Sequence, residues 1–233
     1  MQSTLFSNVR ILDGSGAAPY PGSVLIEGKR IKHISRSAAP ISSGDALQID
    51  AAGATLMPGM CEAHTHFSWN NAANLAGIQT MPLEEHVLWS AKVAKIYLEA
   101  GWTSCVGAAC AKPRLDVVIR NAINSGQIPG PRYLAASQEI TVPGALGDET
   151  LPHLPFPEFS FGVNVNGAED MRKCVRMFLK YGVDCVKLNL SGDNFTPDSP
   201  AETQWMTDAE VAAADRKSTR LNSSHEWISR MPS

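Results

Sequence analysis

The sequence predicts an α/β protein: a truncated (β/α)8 TIM barrel of about the first four strands, preceded by part of a small β-sandwich domain. Three observations predict it. Residues 1–57 hold short apolar runs punctuated by glycine-containing turns, the mark of strands. From residue 58 the apolar spacing switches to that of helices, and helical stretches then alternate with short apolar runs. Such alternation implies βα units with parallel strands; a closed barrel takes about 250 residues, so residues 58–214 suffice for half of one.

In the first part, the run Leu5 to Leu12 ends at Asp13-Gly14. Val24 to Ile26, the turn Glu27-Gly28-Lys29, and Ile31 to Ile34 read as a hairpin. Asp45 to Ile49 is a further strand, closed by Asp50-Ala51-Ala52-Gly53. The first barrel strand starts near Leu56. Leu83, Val87, Ala91, Ala94 and Leu98 then recur at helical spacing, and Gly101 ends that helix. Thr103 to Ala108 is the second strand. Leu115, Val118, Ile119, Ala122 and Ile123 mark a helix stopped at Gly126, and Arg132 to Ala136 is the third strand. Met171, Cys174, Val175 and Phe178 mark a helix stopped at Gly182, and Val183 to Leu190 is the fourth strand. Thr207-Asp208-Ala209-Glu210 is a capping box, so a further helix starts there.

Past Ala214 the composition breaks. Residues 215–233 hold five serines and four basic residues with no amphipathic period. They read as a serine-rich linker or as a non-native tail, and the second is expected. Asp215 to His225 resembles the in-frame translation of a common short-read sequencing adapter, and Glu226 to Ser233 fits its continuation. His225 is therefore given no role.

The 20 Lys and Arg are outnumbered by 23 Asp and Glu and form no long block, which argues against a nucleic-acid partner. No stretch approaches the roughly 20 apolar residues of a membrane span. Met1 to Phe6 lacks the basic start and apolar core of a signal peptide. Five cysteines, none in a C-x-x-C pair, read as reduced thiols. The expectation is a cytoplasmic protein with a small-molecule substrate and no nucleic-acid or membrane partner, whose parent associates at most with copies of itself as a homo-oligomer.

Two constellations carry chemistry. In the segment from Pro58-Gly59 to Phe67, alternation along a strand points His64 and His66 to one face. Two imidazoles so placed can bind one metal, zinc by preference, with iron, cobalt or manganese as alternatives. Barrel active sites sit at the C-terminal ends of the strands, where this pair falls. The bland alternative is two surface or core histidines. The second constellation is Lys187, inside the apolar run Val183 to Leu190. A buried ammonium is costly unless paired or neutralised. A neutral amine there can take up carbon dioxide and become a carbamate, an anionic ligand that two metals can share. Alternatively, Lys187 sits at the strand mouth, paired with Asp184 or Asp193 or solvated.

Together these signals resemble the amidohydrolase superfamily. The resemblance runs from Asn8-Val9-Arg10-Ile11-Leu12-Asp13-Gly14 through Ile26 to Ile31 and Met57-Pro58-Gly59 to His66, then Ile128-Pro129-Gly130-Pro131-Arg132 and Val186-Lys187. It implies a β-sandwich with a (β/α)8 barrel, and His64, His66 and Lys187 as metal ligands. It also implies one or two divalent metals, zinc or another, per full-length chain, and carbon dioxide held as a lysine carbamate. The branch it resembles holds imidazolonepropionases, prolidase-like dipeptidases and ochratoxin- or phenylurea-type amide hydrolases. That implies hydrolysis of a C–N bond in an amide, cyclic amide, carbamate or dipeptide by a metal-activated water.

The family pattern also needs histidines on strands five and six and an aspartate on strand eight. All three fall beyond this chain, so no catalytic residue is assigned and the fragment is expected to be inactive alone. Relatives often carry a histidine in the loop after strand three, whereas Val142 to Asp148 has none. The rival reading is a non-catalytic scaffold of the same fold, against which the intact His64, His66 and Lys187 argue. Of the remaining residues, His86 reads as a packed or capped helix histidine, His153 as a loop residue and His33 as part of the sandwich. Glu62 and Asp193 read as supporting or solvated carboxylates.

Overall fold

Strand β1 (Ser3–Ile11) organises the N-terminal sheet. It pairs antiparallel with β2 (Tyr20–Glu27) and parallel with β4 (Leu47–Asp50) and β5 (Thr55–Leu56), while β3 (Arg30–Ser35) returns antiparallel along β2. The β2–β3 hairpin turns at Gly28-Lys29, where Gly28 takes φ 59°, a conformation that favours glycine. Val9, Ile11 and Val24 form one buried cluster of this sheet, and Leu5, Leu25 and Ala46 another. The computed structural model describes residues 3–37, 41–42, 44–154, 160–194 and 198–222. Among the described residues the first unit, Met1–Gly59, is a single five-stranded sheet.

The expected strand near Leu56 divides. Thr55–Leu56 joins the N-terminal sheet through Arg10 and Ile11, and the next strand begins only at Met60. Pro58 lacks the amide that a continued ladder would use.

The second unit, Met60–Ser233, alternates strands and helices as the apolar periods require. Its strands are β6 (Met60–Thr65), β7 (Trp102–Gly107), β8 (Arg132–Leu134), β9 (Ala136–Thr141), the short β10 (Val163–Asn164) and β11 (Cys185–Leu188). Every pairing among them is parallel, in the orders β6-β7-β8 and β10-β9-β11. Between them lie the short α1 (Leu75–Gln79), then α2 (Leu83–Glu99), α3 (Leu115–Asn124) and α4 (Gly167–Tyr181). Phe67, Ala94, Cys105, Ile119 and Tyr133 form one core between strands and helices. Ile140, Met171, Val175, Phe178 and Met206 belong to a second, and Ile78, Ala111 and Phe161 to a third. Helix α4 stops where expected, at Gly182 in the left-handed conformation (φ 89°).

The expected third strand, Arg132 to Ala136, runs on to Thr141 but breaks at Ala135. The break has a cause in two carboxylates. Asp184 Oδ2 accepts the Ala135 amide at 2.7 Å, and Asp116 Oδ2 accepts the Ala136 amide at 3.2 Å. The amides that would continue the ladder are thereby diverted, and the chain passes from its partner β7 to its partner β11.

Helix α5 (Asp208–Asn222) opens on the expected capping box: Glu210 Oε2 accepts the Thr207 amide at 2.8 Å, and Thr207 Oγ1 accepts the Glu210 amide at 3.4 Å. Ala213 and Ala214 are buried, and the helix runs on into the segment whose composition breaks. His225 and the remainder of the tail lie outside the described residues. No helix among the described residues is long and apolar enough to cross a membrane.

Candidate metal centre

His64 lies near the end of β6 and His66 just past it, on the same side of the chain. Their Nε2 atoms are 3.2 Å apart, with the rings nearly perpendicular at 72°. Two imidazole nitrogens bound to one zinc at 2.0–2.1 Å with a tetrahedral angle lie about 3.3 Å apart, so the pair has the spacing a shared metal needs. The other ring nitrogen of His66, Nδ1, lies 3.3 Å from the Ala109 carbonyl. A carbonyl can only accept, so the proton sits on Nδ1 and the Nε2 lone pair is turned toward His64. Burial pushes the His66 imidazole down to about 4. The Ala109 carbonyl opposes that fall, and the nearby charges of His64 and Lys187 add to it. The ring is therefore neutral at neutral pH, the form in which histidine binds metal.

Lys187 sits on β11, opposite Glu139 of β9. Its direction is set by a bulge. Cys185 pairs with Ala136 but Lys187 with Glu139, so β9 carries one residue more than β11 between these pairs. The wholly buried Ser137 fills the gap, its Oγ accepting the Lys187 amide at 3.0 Å. Pairing of Lys187 with Asp184, one sequence alternative, does not occur: Asp184 Oδ2 is engaged by Arg120 at 2.6 Å.

Glu139 went unnoticed in the sequence. It is buried beside Lys187, with Oε2 accepting from Asn189 Nδ2 at 2.7 Å. Gly147 makes room for this contact, since a Cβ there would stand 2.7 Å from Glu139 Oε2. Burial pushes the Glu139 carboxyl up, against the Asn189 bond and the Lys187 charge, while Asp193 adds to the rise. The signal was available: a charged residue in a buried strand run is as anomalous at Glu139 as at Lys187.

Two of the other sequence candidates, Glu62 and His86, play supporting parts. Glu62 Oε1 accepts the His64 amide at 3.1 Å. His86 is wholly buried, with Nε2 against the Ser68 carbonyl, and its own carbonyl accepts from Ser90 Oγ at 2.9 Å. His33 and His153 are exposed. All five cysteines are free. Among the described residues no three His, Cys, Asp or Glu side chains converge as a ready metal cluster, so the donor set is the two imidazoles, with Lys187 nearby.

No family model and no curated protein matches the chain. Solved structures do. A prolidase complexed with N-methylphosphonate-L-proline is 25% identical with a TM-score of 0.83, over 95% of this chain and 54% of its own. A Xaa-Pro dipeptidase with bound methionine in its active site is 25% identical with a TM-score of 0.76, over 95% of this chain and 55% of its own. The A. niger ochratoxinase, 18% identical with a TM-score of 0.75, shares the fold over 95% of this chain and 54% of its own. The structural neighbours are thus amidohydrolases and prolidases, and this chain spans about half their length.

Proposed function

We propose, for a chain whose fold follows amidohydrolases and prolidases over about half their length, that the parent protein is a metal-dependent hydrolase of carbon–nitrogen bonds. One observation carries the reading: two imidazole Nε2 atoms lie 3.2 Å apart at a strand end, and that of His66 is held in its ligating tautomer by a backbone carbonyl. In this reading residues 1–57 are part of a β-sandwich domain, residues 58–214 the first half of a (β/α)8 barrel, and residues 215–233 a non-native tail. The substrate is an amide, cyclic amide, carbamate or dipeptide, and the chain by itself is inactive.

His64 and His66 would hold a divalent ion, zinc by preference, through Nε2, and Lys187 as a carbamate would be shared with a second. Such an ion, when bound, polarises a carbonyl and lowers the pKa of water to near 7. The chain's own residues prepare for it. Ala109 keeps the proton on His66 Nδ1, and burial keeps the ring uncharged. For Lys187, loss of a proton frees the amine pair to bond the carbon of CO2. One C=O pair moves onto oxygen, the added nitrogen sheds a second proton, and a cation becomes an anion beside the imidazoles.

The test uses the full-length protein recovered from the source locus. Wild type should hold one to two metals per chain, and Lys187→Ala should lower both metal content and amide turnover. A Lys187→Ala variant that kept its metals and its rate would remove Lys187 from the ligand set.

A further inference from the structure

A histidine beyond a strand end has two free torsions, and a ligand pair works only if both rings keep their directions. His66 is gripped from two sides. On one edge Nδ1 meets the Ala109 carbonyl at 3.3 Å. On its face it stacks on Trp69, with ring centroids 4.0 Å apart and planes 25° from parallel.

Trp69 is itself fixed. Its amide donates to the His66 carbonyl at 3.2 Å, which closes the turn after the strand. Its carbonyl accepts from Trp89 Nε1 of α2 at 3.0 Å. Its indole meets the wholly buried Phe161 edge-on, centroids 5.5 Å apart at 89°. The preceding Ser68 ties the two grips together: its Oγ accepts the Ala111 amide at 2.9 Å, so the loop that offers Ala109 is fastened to the turn that carries Trp69. His86 braces the same turn through the Ser68 carbonyl.

We propose that Trp69 is a positioning residue for His66, the flat plate that with the Ala109 carbonyl keeps His66 Nε2 facing His64 Nε2. The proposal rests on the metal-centre reading above and adds to it a residue that donates no ligand of its own. A Trp69 side chain lacking an aromatic face would leave the ring one hydrogen bond and a free torsion, and His66 would leave the pair.

The probe is Cu2+, which of the common first-row divalent ions binds nitrogen sites most tightly, added to the 233-residue chain. Calorimetry gives affinity, and electron paramagnetic resonance identifies the coupled imidazole nitrogens. Wild type should bind through both rings. Trp69→Ala and Trp69→Leu should weaken binding by roughly 10–100-fold, the usual effect of losing a residue that orients a ligand, with coupling reduced to one imidazole. Trp69→Phe, which keeps a stacking face, should recover affinity and both couplings. Circular dichroism checks the fold, and if the alanine variant does not fold, the leucine and phenylalanine pair decides. Wild-type affinity with both imidazoles coupled in Trp69→Leu overturns the proposal. His64→Ala separates the two failures. If it binds Cu2+ as wild type does, the metal-centre reading fails; if it loses binding while Trp69→Leu does not, only the role of Trp69 fails.

Discussion

His66 couples ligand chemistry to stability. Its folded pKa of about 4 lies below the ordinary 6.5, so between those values the unfolded chain binds a proton that the folded chain refuses. The stability linked to a neutral His66 is therefore complete above pH 6.5 and is lost as pH falls toward 4. We predict that wild type loses on the order of 2 kcal/mol more than His66→Gln between pH 7 and pH 4.5, read from urea midpoints. Equal losses would mean the ring titrates normally. The H-x-H spacing and the lysine in an apolar run were legible because alternation and charge are properties of the sequence. Ala109 was not, because its contribution is a carbonyl, which every residue has. Trp69 was hidden for a different reason: an aromatic residue after a strand reads as core until its partner is known to be a histidine.

The break in the third strand depends on Asp116, which is wholly buried on α3. Tyr133 Oη donates to Asp116 Oδ2 at 2.6 Å, and the Ala136 amide donates to the same oxygen. Burial pushes the Asp116 carboxyl up to about 6, against these bonds. A raised acid is the reverse case of His66: its contribution is full below the ordinary 3.8 and is lost as pH rises through about 6. Asp116→Asn cannot ionise, so we predict that it gains stability on wild type between pH 4 and pH 7. Asp116→Ala leaves two buried donors unpaired and should cost about 2–4 kcal/mol; urea titrations of both variants check this. For the tail, Ala213 and Ala214 are the last residues of α5 with a described buried side chain. We predict that deleting residues 216–233 leaves the unfolding midpoint unchanged, and that independent reads of the source locus continue past Ala214 with an amphipathic helix. Helix starts and stops, Thr207 and Gly182 among them, could be read locally. The strand break could not, because Asp184 acts on an amide 49 positions away in sequence.

At the scale of the molecule, the alternation of periods after residue 58 was enough to predict parallel βα units, and β6 to β11 pair accordingly. What the apolar runs could not tell is which strand edges stay open. Among the described residues β6 pairs with β7 alone and β11 with β9 alone, and Leu190, two residues past β11, is 41% exposed. Open parallel edges beside exposed apolar side chains favour association. We predict that the purified chain elutes as oligomers or aggregates well above 25.0 kDa in light-scattering chromatography. A monodisperse monomer would contradict this.

The extra residue of β9 gives that strand a phase, much as a reading frame does. Tyr133, before the bulge, must turn toward Asp116, and Glu139, beyond it, must turn toward Lys187. Only an even count of residues between Ala136 and Glu139, here Ser137 and Gln138, satisfies both ends. Deleting Ser137 or Gln138 would barely alter composition or hydropathy, yet it would set the two ends in competition, one keeping its side while the other exchanges inside for outside. In this stretch the number of residues is itself an instruction, separate from what the residues are.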